Sequence, residues 1–177
     1  MSDRLPGFFH HRWTAPLLAE LHRTNGAKFV TLVNRLGIPR ETLIRTLRAL
    51  IRSGWVRRNP GHGHPMRPEY LPTAKGRRLG GACERLLFLL RRRQLEDVAL
   101  KKWSMPVLHA LVGGPRRFSE LKRTLGPVTT RALALAIRDL VGAGLVSRSV
   151  SEDAPPEVRY GVKTAARGLG RWLDRLA

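Results

Sequence analysis

The segment RALIRSGWVRR, residues 48–58, returns as RDLVGAGLVSR at residues 138–148. Both run Arg, Leu two places on, Gly after three more, then Trp or Leu, Val, and Arg two places later. The correspondence continues upstream. RWTAPLLAEL (12–21) matches KWSMPVLHAL (102–111), and FVTLVNRLG (29–37) matches FSELKRTLG (118–126). It continues downstream as well, with Tyr70 against Tyr160 and Leu79 against Leu169. Two copies cannot make a solenoid, which needs at least three, so the repeat restricts the chain to a duplicated small domain of roughly 75 residues. The boundaries expected are 1–81 for the first domain, 82–101 for a helical linker and 102–177 for the second.

Each copy has the same order of elements. Trp103, Val107 and Leu111 lie at i, i+4 and i+8, the spacing of one helix face, and Gly113-Gly114-Pro115 ends that helix. A short helix carries Phe118, Leu121 and Leu125 on one side. After Gly126-Pro127 a longer helix presents Leu133, Ile137 and Leu140, with Thr129 or Thr130 as N-cap and Gly144 in the C-terminal glycine position. LVSRSV and VRYGV then alternate as strands around the loop SEDAPPE; in the first copy WVRRN and RPEYL do the same around PGHGHPM. Two helices at a Gly turn followed by a hairpin make a winged helix-turn-helix. The fold class expected is therefore mainly α with small β-hairpins: two tandem winged helix-turn-helix domains joined by a helix. That joining helix is read from ACERLLFLLRRRQLEDVALKKW, 82–103, entered after Gly80-Gly81. Leu86, Leu87 and Leu90 are expected to pack on the last helix around Trp172 and Leu176, or to pair two whole chains. Trp13 and Trp103 are read as core anchors.

Charge narrows the partners. The chain has 33 basic and 13 acidic residues, a net charge of +20, which favours a polyanion, with nucleic acid first. Membrane surfaces and ribosomes are competing polyanions. Six of the basic residues are Lys and the rest Arg. Arg forks onto guanine or phosphate, although a coding bias toward Arg accounts for the same excess equally well. Residues 1–82 carry 15 basic and 4 acidic residues and 101–177 carry 14 and 6, so a basic tail on a neutral body is excluded. The single cysteine, Cys83, excludes a disulfide framework and a cysteine zinc site. The longest apolar run, ALALAI at 132–137, is too short to span a bilayer, and MSDRLPGFFHHRW lacks a signal-peptide core. A cytoplasmic, nucleoid-associated location is expected.

The second copy also resembles a known family. Lys102-Trp103, GGPRRFSELKRTLG, the block Arg138–Leu145 and PPEVRYGV together are similar to the HxlR family of bacterial winged helix-turn-helix transcription regulators. The likeness is dense over 101–173 and looser over 12–79, where Lys28-Phe29-Val30-Thr31-Leu32 replaces the family's Arg-Phe-x-Glu-Leu. The first copy keeps the family's Tyr-x-x-Thr-x-x-Gly spacing at Tyr70, Thr73 and Gly76; the second has Tyr160, Lys163 and Ala166. The resemblance implies DNA binding, and because family members usually pair as homodimers, it implies here a single-chain pseudo-dimer: a monomer with internal pseudo-symmetry, or a homodimer. RNA polymerase or another regulator is a further candidate partner, and no membrane or cofactor is expected.

A second helix entering the major groove places its first residues on base edges. In the first copy Ile38, Leu43, Leu47 and Leu50 read as core. That leaves Arg40, Glu41, Ile44, Arg45 and Arg48 outward, with Arg40 and Arg45 as the base readers and a solvated face as the alternative. In the second copy Thr129, Thr130 and Arg131 stand at the same end, but Ala134 and Leu135 replace Ile44 and Arg45. Arg57, Arg58 and Arg67 form the first wing's cationic set; Arg148 and Arg159 belong to the second, whose tip carries Glu152 and Asp153. Arg48 and Arg138 are equally readable as intradomain ion-pair partners. His62 and His64, and His10-His11, read as polar loop residues rather than metal ligands, and Arg91–Arg93 as a solvated or phosphate-facing edge. Cys83 lies farther from the Lys-Trp opening than the family's redox cysteines and reads as a packing thiol. With no phosphate loop, nucleophile elbow or paired catalytic carboxylates, an enzyme is not expected. The leading function is a sequence-specific double-stranded DNA-binding transcription regulator. An architectural or weakly specific nucleic-acid-binding protein is the alternative, and a protein-docking module is a third reading.

Overall fold

Most of the described helices are 13 residues or shorter, a length marginal in water without a packed face. Apolar residues at helical spacing supply that face. The computed structural model describes residues 7–59, 69–152, 154–164, 166, 168 and 169. It divides into two compact units, His11–Leu89 and Leu90 onward, residues 7–10 grouping with the second.

In the first unit the order is α1 (Thr14–Thr24), β1 (Ala27–Lys28), α2 (Phe29–Leu36), α3 (Arg40–Arg52), β2 (Val56–Asn59), β3 (Glu69–Pro72) and α4 (Ala74–Arg92), whose last turn enters the second unit. The second continues with α5 (Glu96–Ala99), α6 (Ser104–Leu111), β4 (Arg116–Arg117), α7 (Phe118–Leu125), α8 (Thr130–Gly142), β5 (Val146–Val150) and β6 (Val158–Val162). Each unit is thus a helix-turn-helix followed by a wing, as the repeat requires. The wings are larger than the expected hairpins. The two-residue strands β1 and β4 add an antiparallel edge, giving three-stranded sheets in the orders β1-β3-β2 and β4-β6-β5. Ala27 pairs with Tyr70, and Arg116 with Tyr160. Strands this short carry no readable alternation, which is why the hairpins alone are legible in the sequence.

The cores follow the repeat. Leu17, Leu18, Leu21, Leu32, Leu43, Leu47 and Leu50 are buried in the first unit, and Val107, Leu108, Leu111, Leu121, Leu133, Ile137 and Leu140 in the second. Burying each such side chain contributes about 1.5–3 kcal/mol, more than the few tenths that separate most helix propensities. The two longer helices end alike. The N–H of Trp55 bonds the carbonyl of Leu50 at 3.0 Å, and that of Leu145 the carbonyl of Leu140 at 2.9 Å. Each turn passes through a left-handed glycine, Gly54 at φ 69° and Gly144 at φ 70°, which a side chain would strain. The phrase that recurs in the sequence is this turn.

The joining helix departs from expectation. It begins at Ala74, so Gly80-Gly81 lies inside it, and it ends at Arg92 rather than running to 103. Gln94, at φ 54°, carries the chain out of it toward α5. The glycines are there for close approach. A Cβ on Gly80 would stand 2.5 Å from His22 Cβ, and one on Gly76 would stand 1.9 Å from the Trp55 carbonyl oxygen. Leu86, Leu87 and Leu90 are buried on this helix; Trp172 and Leu176, their expected partners, lie outside the described residues. Cys83 is fully buried there, and loss of solvation pushes its thiol far above the ordinary range. Trp13 and Trp103 are only half-buried, not core anchors. Each precedes its helix, with Arg12 5.8 Å and Lys102 5.2 Å from the ring centroid. A cation over a ring face is attracted by the ring's quadrupole, an arrangement that a half-buried Trp at the surface can accept.

Substituting Gly76→Ala is expected to destabilise the protein by on the order of 1–3 kcal/mol, because the added methyl meets backbone rather than a movable side chain. Gly142→Ala, which meets nothing within 4 Å, is expected to leave stability unchanged or raise it by about 0.5–1 kcal/mol. Urea unfolding of the two variants checks the contrast.

Candidate nucleic-acid interface

The frame that carries the two longer helices is held by different means in the two units. In the first, the carboxylate of Glu20 on α1 accepts from Arg35 of α2 at 2.9 Å and from Arg23 one turn along α1 at 2.9 and 3.0 Å. Burial alone would raise the Glu20 pKa, but the hydrogen bonds from Arg35 and Arg23 and their charges outweigh it and hold the group below its ordinary 4.5. In the second, Glu120 accepts from the backbone N–H of Arg117 at 2.7 Å and closes the start of α7. That bond, with Arg159, Arg117 and Arg116 nearby, lowers its pKa.

On this frame α3 exposes Arg40, Glu41, Arg45 and Arg48, with Ile44 half-buried between them. Ile38 is buried at the turn, so the expected division of this helix into core and outward faces is the one observed. Arg45 reaches Thr42 Oγ1 at 3.5 Å, too long to hold it. Among the described residues Arg40 and Arg48 make no ion pair. Arg57 and Arg58 are exposed on β2, likewise without one. Arg67, with His62 and His64, lies outside the described residues.

The second unit offers a different surface in the same places. Thr129 caps α8 by accepting from Ala132 N–H at 3.2 Å. Thr130 and Arg131 are exposed on its first turn, followed by exposed Ala134 and by Leu135 at 40% exposure. Lys122 of α7 donates to Thr130 Oγ1 at 2.8 Å. This adds a cation that the sequence reading passed over, signalled only by the Lys122-Arg123 pair before the turn. In the wing Arg148 is exposed. Arg159, by contrast, lies 3.3 Å from Glu157, which also pairs with Arg117. Glu157 therefore neutralises part of the wing's charge; the pairing runs between a loop residue and β4, which no spacing announces. Arg138 has only a 3.9 Å approach to Asp139, whose carboxylate is held by Lys101 at 2.7 Å, so the intradomain pair expected for it is at most weak. Arg91 pairs with Glu96 at 3.0 Å. No group of three or more His, Cys, Asp or Glu able to hold a metal occurs among the described residues, and none of their helices is long and apolar enough to cross a membrane.

Two helix-turn-helix units with wings, each opening on a basic residue and Trp, match a family pattern twice. The HxlR-like helix-turn-helix family aligns with residues 8–94 and again with 98–177. The chain belongs to the HxlR-like helix-turn-helix family. Over 81 residues it is 44% identical to YkvN of Bacillus subtilis, an uncharacterized HTH-type transcriptional regulator, covering 46% of this chain and 69% of that protein. An uncharacterized HTH-type transcriptional regulator of Methanothermobacter thermautotrophicus is 36% identical over 75 residues, 42% of this chain and 57% of that protein. Among solved structures, diamide-treated YodB from B. subtilis is 25% identical with a TM-score of 0.41, covering 44% of this chain and 78% of that one. Each of these alignments takes in less than half of the chain, the size of one HxlR-like copy.

The depressed Glu20 pKa sets a pH window. The carboxylate's contribution is complete above 4.5 and is lost as pH falls through its lower folded value. Glu20→Gln is therefore expected to be less stable than the parent at pH 7, with the difference shrinking as pH falls below 4.5 and through the lower folded value. Thermal unfolding of both across that range measures it.

Proposed function

We propose that this HxlR-like chain is a transcription regulator that recognises double-stranded DNA with two unequal readers in one polypeptide. The observation that carries the reading is the outward face of α3, where Arg40, Arg45 and Arg48 stand exposed beside Arg57 and Arg58 of the wing. Guanidinium groups free of carboxylate partners can fork onto guanine edges or phosphates. In this assignment Arg40, Glu41, Ile44, Arg45 and Arg48 face the bases, while Arg57, Arg58 and Arg67 follow the backbone. The second unit contributes Thr129, Thr130, Arg131 and Arg148, mainly to position the complex, and Lys122 joins that set. The domain limits 1–81 and 102–177, with 82–101 between, are the working division. The net charge of +20 supplies the electrostatic footing. A single chain with two readers would cover two half-sites ~34–36 Å apart, and their divergence means the site need not be palindromic.

A second reading has its own observation. Ala134 and Leu135 leave α8 without polar side chains where α3 carries Arg45, and a chain that binds mostly by charge would be an architectural factor.

Selection from a random duplex library near physiological salt decides between them. A specific regulator enriches one asymmetric motif and binds it ~10³-fold or more tighter than a scrambled duplex. Equal, steeply salt-dependent affinity for both duplexes would instead establish the architectural reading. On the enriched site Arg45→Glu is expected to cost about 1–3 kcal/mol or more of binding, and more than Arg131→Glu; the reverse order would overturn the unequal assignment. Arg57→Gln should weaken binding to all sequences alike and reduce the salt slope by about 1.

A further inference from the structure

The second unit carries a hollow between its two recognition-motif helices and its wing. On α8, Ala134, Ile137 and Val141 line one side of a cavity of about 270 Å³, and Phe118 at the start of α7 lines another. Arg138, Arg148 and Tyr160 complete it, the last two being paired across β5 and β6. The first unit repeats nearly every part: Phe29, Leu47, Arg48 and the cross-strand pair Arg58–Tyr70 stand at the matching places. It differs where Ile44, Leu47 and Ile51 stand in place of Ala134, Ile137 and Val141, and the largest change in side-chain size is at Ile44. Ile44 is half-buried, while Ala134 is exposed. Three carbons that pack in one copy are thus missing in the other.

The chemistry of this hollow is one-sided. Its walls are aromatic and aliphatic, and its only charged groups are two guanidiniums. The carboxylate nearest Arg138 is that of Asp139, 3.9 Å away and committed to Lys101; among the described residues Arg148 makes no ion pair. A drug-sized ligand needs roughly 300–1,000 Å³, so the space suits something smaller, of single-ring size. Flat rings stack well on aromatic and aliphatic walls, and an Arg at the rim takes a carboxylate in charge-assisted hydrogen bonds.

We propose that this cavity of the second unit is a binding site for a small single-ring aromatic carboxylate, with Arg138 and Arg148 holding the anion. The site lies between the helix that would enter DNA and its wing. Resting on the DNA-binding reading above, its occupancy takes Arg148 from the phosphate backbone and weakens DNA binding. The first unit, with Ile44 in the way, is insensitive.

Benzoate is the probe, titrated into the full chain without DNA and followed by calorimetry, with neutral benzamide as the comparison. One benzoate per chain is expected, with benzamide at least ~10-fold weaker because it lacks the charge. Ala134→Ile, which copies the first unit, should weaken benzoate at least ~10-fold, as should Arg138→Gln; the latter alters an exposed side chain and carries the test if the former fails to fold. Ile44→Ala should create a second site and raise the stoichiometry to two. No benzoate heat up to ~10 mM, equal binding of benzamide, or benzoate binding unchanged by the substitutions would overturn the site. Repeating the DNA titration with saturating benzoate separates the two ideas. Unchanged DNA affinity with intact benzoate binding would overturn the coupling alone, and absence of DNA binding at any benzoate concentration would sink the regulator reading while leaving the site standing.

Discussion

The hydrogen bond from the Trp55 N–H to the Leu50 carbonyl, with its counterpart from Leu145 to Leu140, sets the relation between helix and wing in each unit. It closes only because the residue before it is a glycine with positive φ. The turn fixes where the first wing strand leaves the helix, and hence which side chains the helix and wing present together. A second bond locks the returning strand: the N–H of Thr73 reaches the Trp55 carbonyl and that of Lys163 the Leu145 carbonyl, both at 3.0 Å. The exposed side chains of the helix and the cations of the wing are therefore carried on one small, repeatedly stapled frame.

On that common frame the copies have diverged chiefly in exposed positions. Burial along α3 is matched along α8 almost residue for residue, the core positions Leu43, Leu47 and Leu50 answering to Leu133, Ile137 and Leu140. Core packing punishes change by kilocalories, whereas exposed positions tolerate it within about half a kilocalorie. Arg45 and Leu135, both exposed, can thus differ without disturbing either fold. The exit from the wing also changed. Thr73 donates to the Gly54 carbonyl at 2.8 Å and accepts from Gly76 N–H at 3.1 Å, capping α4. The Lys163 side chain has no acceptor to offer, and there the Ala166 N–H turns instead to the Lys163 backbone carbonyl at 2.8 Å.

Much of the fold was legible because its signals are local. Leu133, Ile137 and Leu140 announce a buried stripe by spacing alone, Thr129 announces a cap, and Gly54 and Gly144 announce the turns. The outward placement of Arg40, Arg45 and Arg48 follows from the same periodicity. Gly80-Gly81 misled because a glycine pair ordinarily ends or precedes a helix; here the demand came from His22, nearly sixty residues earlier. Trp13 and Trp103 misled because the apolar stripe outweighed the basic residue directly before each, whose side chain lies over the ring.

The sequence by itself determined the duplication, the helix-turn-helix order, the core stripes and the excess of positive charge, since each rests on residue identity and short-range spacing. Only the tertiary structure decided which cations are free. Glu157 draws in Arg117 and Arg159 and Glu20 draws in Arg35, while among the described residues Arg57, Arg58 and Arg148 make no ion pair. Only it could show that Ala134 lines a hollow under two guanidiniums. Ion pairs and cavities are made by side chains that meet in space from distant parts of the chain, and no local pattern encodes such a meeting.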